Sequence, residues 1–217
     1  MVADGERKVY KRDFWAEANL LYARPHYRLQ KAARIIGKIA RGRECSLLDV
    51  GCGPAALRCQ LPQNIRYHGI DIAIQEPSPS LIQADLLESP IKFGDECFDI
   101  VLAQGFFEYA GNSQEQKFAE ISQILAPNGT FIVSYVNFGH RKPDIAWTYS
   151  NVQSVSDFRA SLSRYFKVDR SFPTSHNWRH NEPGRPWLRA VNMHFNVNIP
   201  YATPILAAEY FFICSAR

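Results

Sequence analysis

The chain has 217 residues, of which 46% are hydrophobic and 21% are charged, and its net charge is +4. This composition is typical of one globular domain and excludes a disordered chain, and no apolar run approaches the ~20 residues of a membrane-spanning helix. The polar N-terminus lacks the apolar segment of a secretory signal, and the five cysteines form no Cys-x-x-Cys pair, so neither a disulfide framework nor a zinc site is indicated. We therefore predict a cytoplasmic protein with a single domain over residues 1–217.

Charge is unevenly distributed along the chain. The net charge is +6 over residues 1–44, −7 over residues 45–137 and +5 over residues 138–217. Two basic ends around an acidic middle can attract an anionic ligand, although surface helices and loops often carry such charges only to interact with water.

Two helices are predicted before the first strand. Residues 14–23 have a helical composition, and Pro25 is expected to end that helix. A second helix is predicted from about residue 26 to residue 41, because apolar residues recur there at helical spacing. This buried stripe consists of Leu29, Ala32, Ile36 and Ile39. The basic residues of the helix lie mostly off the stripe and are expected to face water: Arg28, Lys31, Arg34, Lys38 and Arg41.

Strands and helices then alternate. Short apolar runs predict strands at residues 46–50, 65–72, 80–86, 98–104 and 129–137. Helices are predicted at residues 55–61 and 113–125, the second with Ser113 as its N-cap. This alternation indicates a mostly parallel sheet with helices on both faces. A helix at residues 154–164 and two strands at 165–172 and 207–216 complete the pattern, and no helix separates these strands, so they are expected to be antiparallel.

The most informative motif is LDVGCGP at residues 48–54. Its glycines suit a sharp turn from a strand into a helix at which the backbone approaches a ligand. The continuation also matches Gly-x-Gly-x-x-Ala, a dinucleotide-binding fingerprint, so the motif alone leaves the nucleotide open. Polar residues end three further predicted strands, at Asp71, Asp85 and Gln104. Because the carboxyl ends of parallel strands bind the ligand in such folds, these residues are expected to border one cleft.

These residues closely resemble the class I S-adenosylmethionine-dependent methyltransferases over roughly residues 46–137. SLLDVGCGP (46–54) is similar to the first motif of that family, and HGIDI (68–72) is similar to the second. FAEISQILAPNGTFIVSY (118–135) resembles the family's helix, turn and fifth strand, with Asn128 in place of the first glycine of a Pro-Gly-Gly signature. Asn also tolerates positive φ. The resemblance implies an α/β fold, with a Rossmann-like, doubly wound, seven-stranded sheet that is mostly parallel and has an antiparallel last strand.

The resemblance also implies S-adenosylmethionine as the cofactor and a division of the chain. Residues 1–44 would form a helical cap, residues 45–137 the cofactor-binding core, and residues 138–217 the substrate-side inserts and last strands. The cofactor-binding residues implied are Asp49, Gly51, Cys52 and Gly53 for the methionine moiety, Asp71 for the ribose, Ile72, Asp85 and Leu86 for the adenine, and Gln104 and Gly105 beside the sulfonium.

The segment after the fourth strand departs from the family. Many relatives carry a Glu-His pair there, whereas this chain has Glu108 followed by Tyr109. No catalytic base can therefore be assigned by analogy. Weak candidates for one are Tyr109, His140, His176 and His180.

Substrate recognition is predicted to involve the cap and a long insert at residues 173–206. Tyr22 of the cap is a candidate for closing over the cofactor. The insert is rich in aromatic and basic residues and is too long for a hairpin turn, so it is predicted to be a lid, with a structured flap packed on the sheet as the alternative. Its candidate substrate contacts are Trp178, Arg185 and Trp187. His176 and His180 have the spacing of two metal ligands, but nearby prolines and the lack of acidic residues lead us to predict no metal site.

The sequence therefore predicts methyl transfer from S-adenosylmethionine to an oxygen or nitrogen of a small-molecule metabolite, anionic or aromatic. An NAD(P)-dependent oxidoreductase remains an alternative, as does a non-catalytic protein with the same fold. A nucleic-acid substrate is disfavoured, because no Asn-Pro-Pro-Tyr-like sequence follows the fourth strand and the basic residues are dispersed. The sequence indicates neither the substrate nor the oligomeric state.

Overall fold

The protein is built around one seven-stranded sheet. A computed structural model describes residues 26–138, 152–176 and 207–217. The strands are β1 (Cys45–Val50), β2 (Ile65–Asp71), β3 (Leu81–Gln83), β4 (Phe98–Ala103), β5 (Leu125–Val136), β6 (Phe166–His176) and β7 (Ala207–Ala216). Their order in the sheet is β3-β2-β1-β4-β5-β7-β6. β1 to β5 pair in parallel, whereas β7 is antiparallel to both β5 and β6, which confirms the predicted fold class.

Helices cover both faces of the sheet. They are α1 (His26–Ala40), α2 (Phe107–Ala110), α3 (Gln114–Ile124) and α4 (Val155–Tyr165), with short 3-10 helices at Ala56–Gln60 and Gly111–Ser113. Ala32 and Ile36 of α1 pack in one hydrophobic core with Leu47 of β1. Phe118 of α3 packs in a second core with the next residue of β1, Leu48. Because successive strand residues point to opposite faces, β1 is buried along its whole length.

Two of the parallel strands have bounds that differ from the prediction by more than one residue. β3 ends at Gln83 rather than at residue 86, because the Asp85 carboxylate accepts the N–H of Leu87 at 2.9 Å and the chain turns away from the sheet. β5 begins at Leu125, four residues earlier than predicted. The predicted turn around Asn128 is an irregularity within this strand, since Phe98 pairs with Leu125 and Ile100 pairs with Thr130.

β6 is also longer than predicted. The sequence prediction ended this strand at Phe172, but the pairing with β7 continues through Pro173 to His176. β6 lies at the edge of the sheet, where a proline removes no hydrogen bond from a central ladder. The prediction that the insert begins at residue 173 was therefore wrong for residues 173–176, which belong to the strand.

Two local predictions about helices were wrong, those for Ser113 and Lys31, whereas the short helix predicted at residues 55–61 is confirmed as a 3-10 helix. Ser113 makes no side-chain capping bond, because the Gly111–Ser113 turn leads directly into α3. Residues 56–60 form a 3-10 helix that follows Ala55 at a left-handed φ of 56°. Lys31 does not face water: it is only 4% exposed, and its Nζ lies 5.2 Å from the centre of the Phe172 ring.

No helix in the described part of the chain is long and apolar enough to cross a membrane. The predicted helix at residues 14–23 and residues 177–206 of the predicted insert lie outside the described residues.

Candidate active site

The loop after β1 has the backbone geometry that its glycines predicted. Gly51 has a φ of 73° and Gly53 a φ of 55°, values that side chains of L-residues rarely adopt. The Gly51 N–H donates to the carbonyl of Ile70 at 2.9 Å, which ties the loop to β2. A Cβ on Gly51 would lie 3.2 Å from Cβ of Phe106, so a side chain would also crowd the segment after β4. The loop therefore runs between the ends of β2 and β4.

Asp71, at the end of β2, holds this loop in place. Its Oδ2 accepts the N–H of Gly53 at 2.8 Å, and its Oδ1 accepts the N–H of Ala73 at 2.7 Å. Burial raises the pKa of this carboxyl group, and the two backbone hydrogen bonds oppose that rise. Since a carboxylate oxygen can accept two hydrogen bonds, each oxygen of Asp71 retains one acceptor position.

Asp49 lies in the floor of the same loop. It is 5% exposed, and its Oδ2 accepts the hydroxyl of Tyr67 at 2.9 Å. Burial raises the pKa of Asp49 to about 7, while the Tyr67 hydrogen bond lowers it. Nearby, a Cβ on Gly69 would lie 2.8 Å from Sγ of Cys52, so the glycine in β2 leaves room for the Cys52 side chain. These contacts fix the position of the loop from below.

The ends of β3 and β4 complete the cleft. Asp85 follows β3 by two residues and forms the turn described above, and Leu86 is buried in the core beneath it. Gln104 follows β4, and its Nε2 is buried without a hydrogen-bond partner. The N–H of Gly105, at a φ of 73°, donates to Oγ of Ser134 at 3.0 Å. The structure therefore brings the predicted cofactor residues to one edge of the sheet.

A group of charged residues that the sequence prediction missed lies at the same edge. Nη2 of Arg28 is 3.0 Å from Oε1 of Glu209 and 3.4 Å from the position of a Cβ on Gly105. Glu108 is 2% exposed, and its Oε1 accepts the N–H of Val136 at 3.0 Å. Arg28 and Glu209 are 181 residues apart, and neither belongs to a motif. The sequence prediction placed Glu209 near this edge of the sheet only through the antiparallel strand predicted at residues 207–216.

Burial shifts the pKa values of two members of this group. It raises the pKa of Glu108 to about 8, with a further rise from the negative charge of Glu209 and opposition from Arg28. It lowers the pKa of Lys31 to about 8, and Glu209 opposes that fall. At neutral pH Glu108 therefore mostly holds a proton, whereas Lys31 is mostly charged.

Only two of the predicted catalytic and substrate-binding residues lie within the described part of the chain. Tyr109 follows Glu108 in α2, and His176 is the last residue of β6. His140, His180, Tyr22, Trp178, Arg185 and Trp187 lie outside the described residues. Among the residues that the structure describes, no group of three His, Cys, Asp or Glu side chains could hold a metal ion.

A surface groove of about 860 Å³ lies elsewhere in the structure. It is lined by residues from the first half of β2, including Tyr67 and His68, and by residues 78–80 before β3. β3 pairs only with the last three residues of β2, so the first half of β2 borders the groove. The groove therefore lies away from the edge of the sheet that carries Asp71 and Gly105.

Comparison with known proteins agrees with this geometry. Residues 48–133 match a protein family described as a methyltransferase domain. No curated protein matches the sequence significantly. Among solved structures, the N-methyltransferase NodS from Bradyrhizobium japonicum, in complex with S-adenosyl-L-homocysteine, is 11% identical, with 84% of each chain covered and a TM-score of 0.56.

Two further structures share the fold over almost the whole chain. A methyltransferase in complex with the Haloferax volcanii Trm112 activator is 17% identical, with 94% of this chain and 95% of that chain covered and a TM-score of 0.62. A TehB-like methyltransferase from Corynebacterium glutamicum is 16% identical, with coverages of 93% and 99% and a TM-score of 0.58.

The strand order, the glycine loop and the acid at the end of β2 define an α/β protein that binds a nucleotide at the carboxyl edge of its sheet. Residues 48–133, which match the methyltransferase-domain family, run from β1 into β5, and the fold is that of the class I S-adenosylmethionine-dependent methyltransferases, which indicates S-adenosylmethionine as the cofactor.

Proposed function

We propose that this methyltransferase modifies an oxygen or nitrogen atom of a small-molecule metabolite. This proposal rests on the burial of two aromatic residues in the segment after β4. Phe106 and Phe107 are 8% and 0% exposed, so their rings pack in the core and offer no surface on which a flipped base could stack. NodS, which shares the fold, is an N-methyltransferase, which supports nitrogen as one acceptor atom.

The proposal assigns the cofactor to the loop after β1. The backbone of Gly51, Cys52 and Gly53 would line the methionine moiety, with Asp49 holding the loop through Tyr67. The free acceptor positions of Asp71 suit two ribose hydroxyls, because a carboxylate accepts hydrogen bonds from both. The remaining predicted contacts are Ile72, Asp85 and Leu86 around the adenine and Gln104 and Gly105 beside the sulfonium.

Methyl transfer requires the protein to align the acceptor atom with the methyl group more than to activate either of them. When bound, S-adenosylmethionine supplies a methyl group on a positively charged sulfur. The protein must hold the acceptor atom in line with that methyl group and exclude water, and good alignment alone can lower a barrier by about 7–11 kcal/mol. A base is needed only if the acceptor carries a proton at neutral pH. Tyr109, His140, His176 and His180 remain proposals for that role.

The acceptor would bind between the cap and the insert. Tyr22, Trp178, Arg185 and Trp187 remain our proposed contacts there, with aromatic rings as an apolar wall and arginine as a partner for a carboxylate or phosphate. The predicted cytoplasmic location stays a prediction.

Calorimetry and a turnover assay test the proposed function together. We expect S-adenosylmethionine and S-adenosylhomocysteine to bind while NADH does not, and we expect release of S-adenosylhomocysteine when metabolite extracts are supplied. Binding of NADH alone would favour the oxidoreductase alternative. Cofactor binding without turnover on any metabolite fraction would favour a non-catalytic protein, and turnover on RNA or DNA alone would contradict a small-molecule acceptor.

A further inference from the structure

Unpartnered polar atoms are concentrated beside the end of β4. Seven buried side-chain polar atoms in the described part of the chain have no hydrogen-bond partner. Three of them belong to residues at this edge, namely Arg28 Nε, Gln104 Nε2 and Glu108 Oε2, and a fourth, Lys31 Nζ, lies about one turn further along α1, near Phe172 of β6. Three of these four atoms are donors. Buried donors without partners are costly, so this edge is suited to a ligand that supplies acceptor oxygens.

The two cationic donors lie on the same face of α1. Arg28 and Lys31 are three residues apart, and residues at that spacing are neighbours on a helix surface. The Arg28 guanidinium lies beside Gly105 and is bonded to Glu209 through one nitrogen, which leaves its Nε without a partner. Only 4% of the surface of Lys31 is exposed, and its Nζ lies 5.2 Å from the centre of the Phe172 ring.

The charges of this group do not balance. Glu209 offsets the charge of Arg28, to which it is directly bonded. Glu108, with a pKa of about 8, is mostly uncharged at neutral pH, and Lys31 has no hydrogen-bonded carboxylate. Among the described residues of this group, about one positive charge is therefore left, and burial of an unpaired charge is unfavourable unless a counter-charge is supplied. The group is therefore suited to an anionic ligand.

We propose that the methyl acceptor carries an oxyanion, a carboxylate or a phosphate, which Arg28 binds beside Gly105 and to which Lys31, about one turn further along α1, contributes its positive charge. This inference rests on the proposed function, because Gly105 lies at the edge assigned to the reacting methyl group. Arg28 and Lys31 are binding residues for the acceptor in this view, and protonated Glu108 is a further donor to the same oxyanion.

Lys31→Met and Lys38→Met form a matched pair of variants for the test. Both change a lysine of α1 to an uncharged residue of similar length, but Lys38 is exposed. The probes are inorganic phosphate and benzoate, titrated by thermal shift into protein saturated with S-adenosylhomocysteine, with potassium chloride at equal ionic strength as the reference. Ligands that bind the folded state raise its melting temperature.

We expect phosphate or benzoate to stabilise the wild type beyond potassium chloride. Lys31→Met should weaken that binding about tenfold or more and raise the melting temperature of the protein without anion, because an unpaired buried charge is removed. Lys38→Met should behave as the wild type. A purely structural role of Lys31 would instead lower the melting temperature. Lys31→Gln serves the same comparison if Lys31→Met does not fold.

Affinity for S-adenosylhomocysteine separates this inference from the proposed function. Suppose that all variants keep their affinity for S-adenosylhomocysteine. The oxyanion site is then wrong, and the methyltransferase assignment stands, if neither anion binds the wild type. The same holds if Lys31→Met binds the anions as the wild type does. If the wild type does not bind S-adenosylhomocysteine, the proposed cofactor site itself is wrong.

Discussion

At the scale of single residues, the loop after β1 contains one non-glycine residue in an unfavourable conformation. Ala55 has a φ of 56°, close to the values of Gly51 and Gly53 in the same loop. A left-handed conformation costs an L-residue about 1–2 kcal/mol, whereas glycine adopts it freely.

Ala55→Gly should therefore stabilise the protein, by up to about 1 kcal/mol after the greater entropy of glycine in the unfolded chain is subtracted. Urea unfolding measures the change. Ala56→Gly is the matched control, because Ala56 begins the 3-10 helix and should lose stability on the same substitution. Equal effects of the two changes would show that the φ of Ala55 carries no strain.

Asp71→Asn should weaken binding of S-adenosylhomocysteine by about 1–3 kcal/mol, because the ribose hydroxyls and the Gly53 N–H lose a charged acceptor. Calorimetry measures the dissociation constant. Asp95→Asn is the control, since Asp95 is an exposed carboxylate between β3 and β4 and should leave affinity unchanged. An unchanged affinity in folded Asp71→Asn would remove this residue from the proposed cofactor site.

Glu108→Gln should change how stability depends on pH. The folded-state pKa of Glu108, about 8, is above its ordinary value of 4.5, so the unfolded chain releases this proton first as the pH rises. The wild type should therefore lose stability between about pH 4.5 and pH 8, by up to about 1.4 kcal/mol per pH unit from this group.

Urea unfolding of Glu108→Gln and wild type at several pH values isolates this contribution. The variant should gain stability relative to the wild type as the pH rises from 5 to 8, because a glutamine keeps the shape and has no proton to lose. Exposed Glu88→Gln controls for the chemistry of the substitution. Parallel curves for Glu108→Gln and wild type would contradict the raised pKa.

At the scale of elements, α4 begins with a side-chain cap. Oγ of Ser154 accepts the N–H of Asp157 at 3.1 Å, which satisfies a backbone donor of the first turn.

Ser154→Ala should lower the free energy of unfolding by about 1 kcal/mol, the usual contribution of a serine N-cap. Ser163→Ala is the control within the same helix. The Ser163 hydroxyl donates to the carbonyl of Arg159, and alanine favours helix more strongly, so this change should be neutral or slightly stabilising. Equal losses in the two variants would argue against a capping role.

The sequence predicted the elements that depend on local patterns, and it failed where tertiary contacts decide. Alternating strands and helices predicted the sheet, and the tolerance of Asn128 for positive φ is confirmed by its φ of 65°. The length of β6 depends on its place at the sheet edge, which no local pattern around Pro173 encodes. Likewise, Lys31 is buried beside Phe172 of β6 and Arg28 pairs with Glu209 of β7 only in the folded chain, so the helical spacing of these basic residues suggested a solvated face.

At the scale of the whole molecule, the proposed lid can be tested even though residues 177–206 lie outside the described residues. Trp187→Ala and Arg185→Ala should impair turnover and leave affinity for S-adenosylhomocysteine nearly unchanged, because a lid closes over the acceptor after the cofactor has bound. If the segment is instead a permanently packed flap, Trp187→Ala should lower stability by about 3–5 kcal/mol.

Hydrogen exchange of the cofactor-bound protein provides an independent measurement of the lid. A lid should exchange rapidly before an acceptor is added, since lids belong to the less stable parts of a structure. Strong protection throughout residues 177–206 at that stage would count against it.

The position of β7 has a consequence for how the chain folds. In the described part of the chain β6 pairs only with β7, and β7 joins β6 to β5. During synthesis β6 therefore leaves the ribosome before the strand that connects it to the sheet. Pairing between distant segments slows folding, and until β7 docks the edge of β5 is open to other chains. The interval between synthesis of β5 and docking of β7 is therefore the period in which aggregation competes most directly with folding.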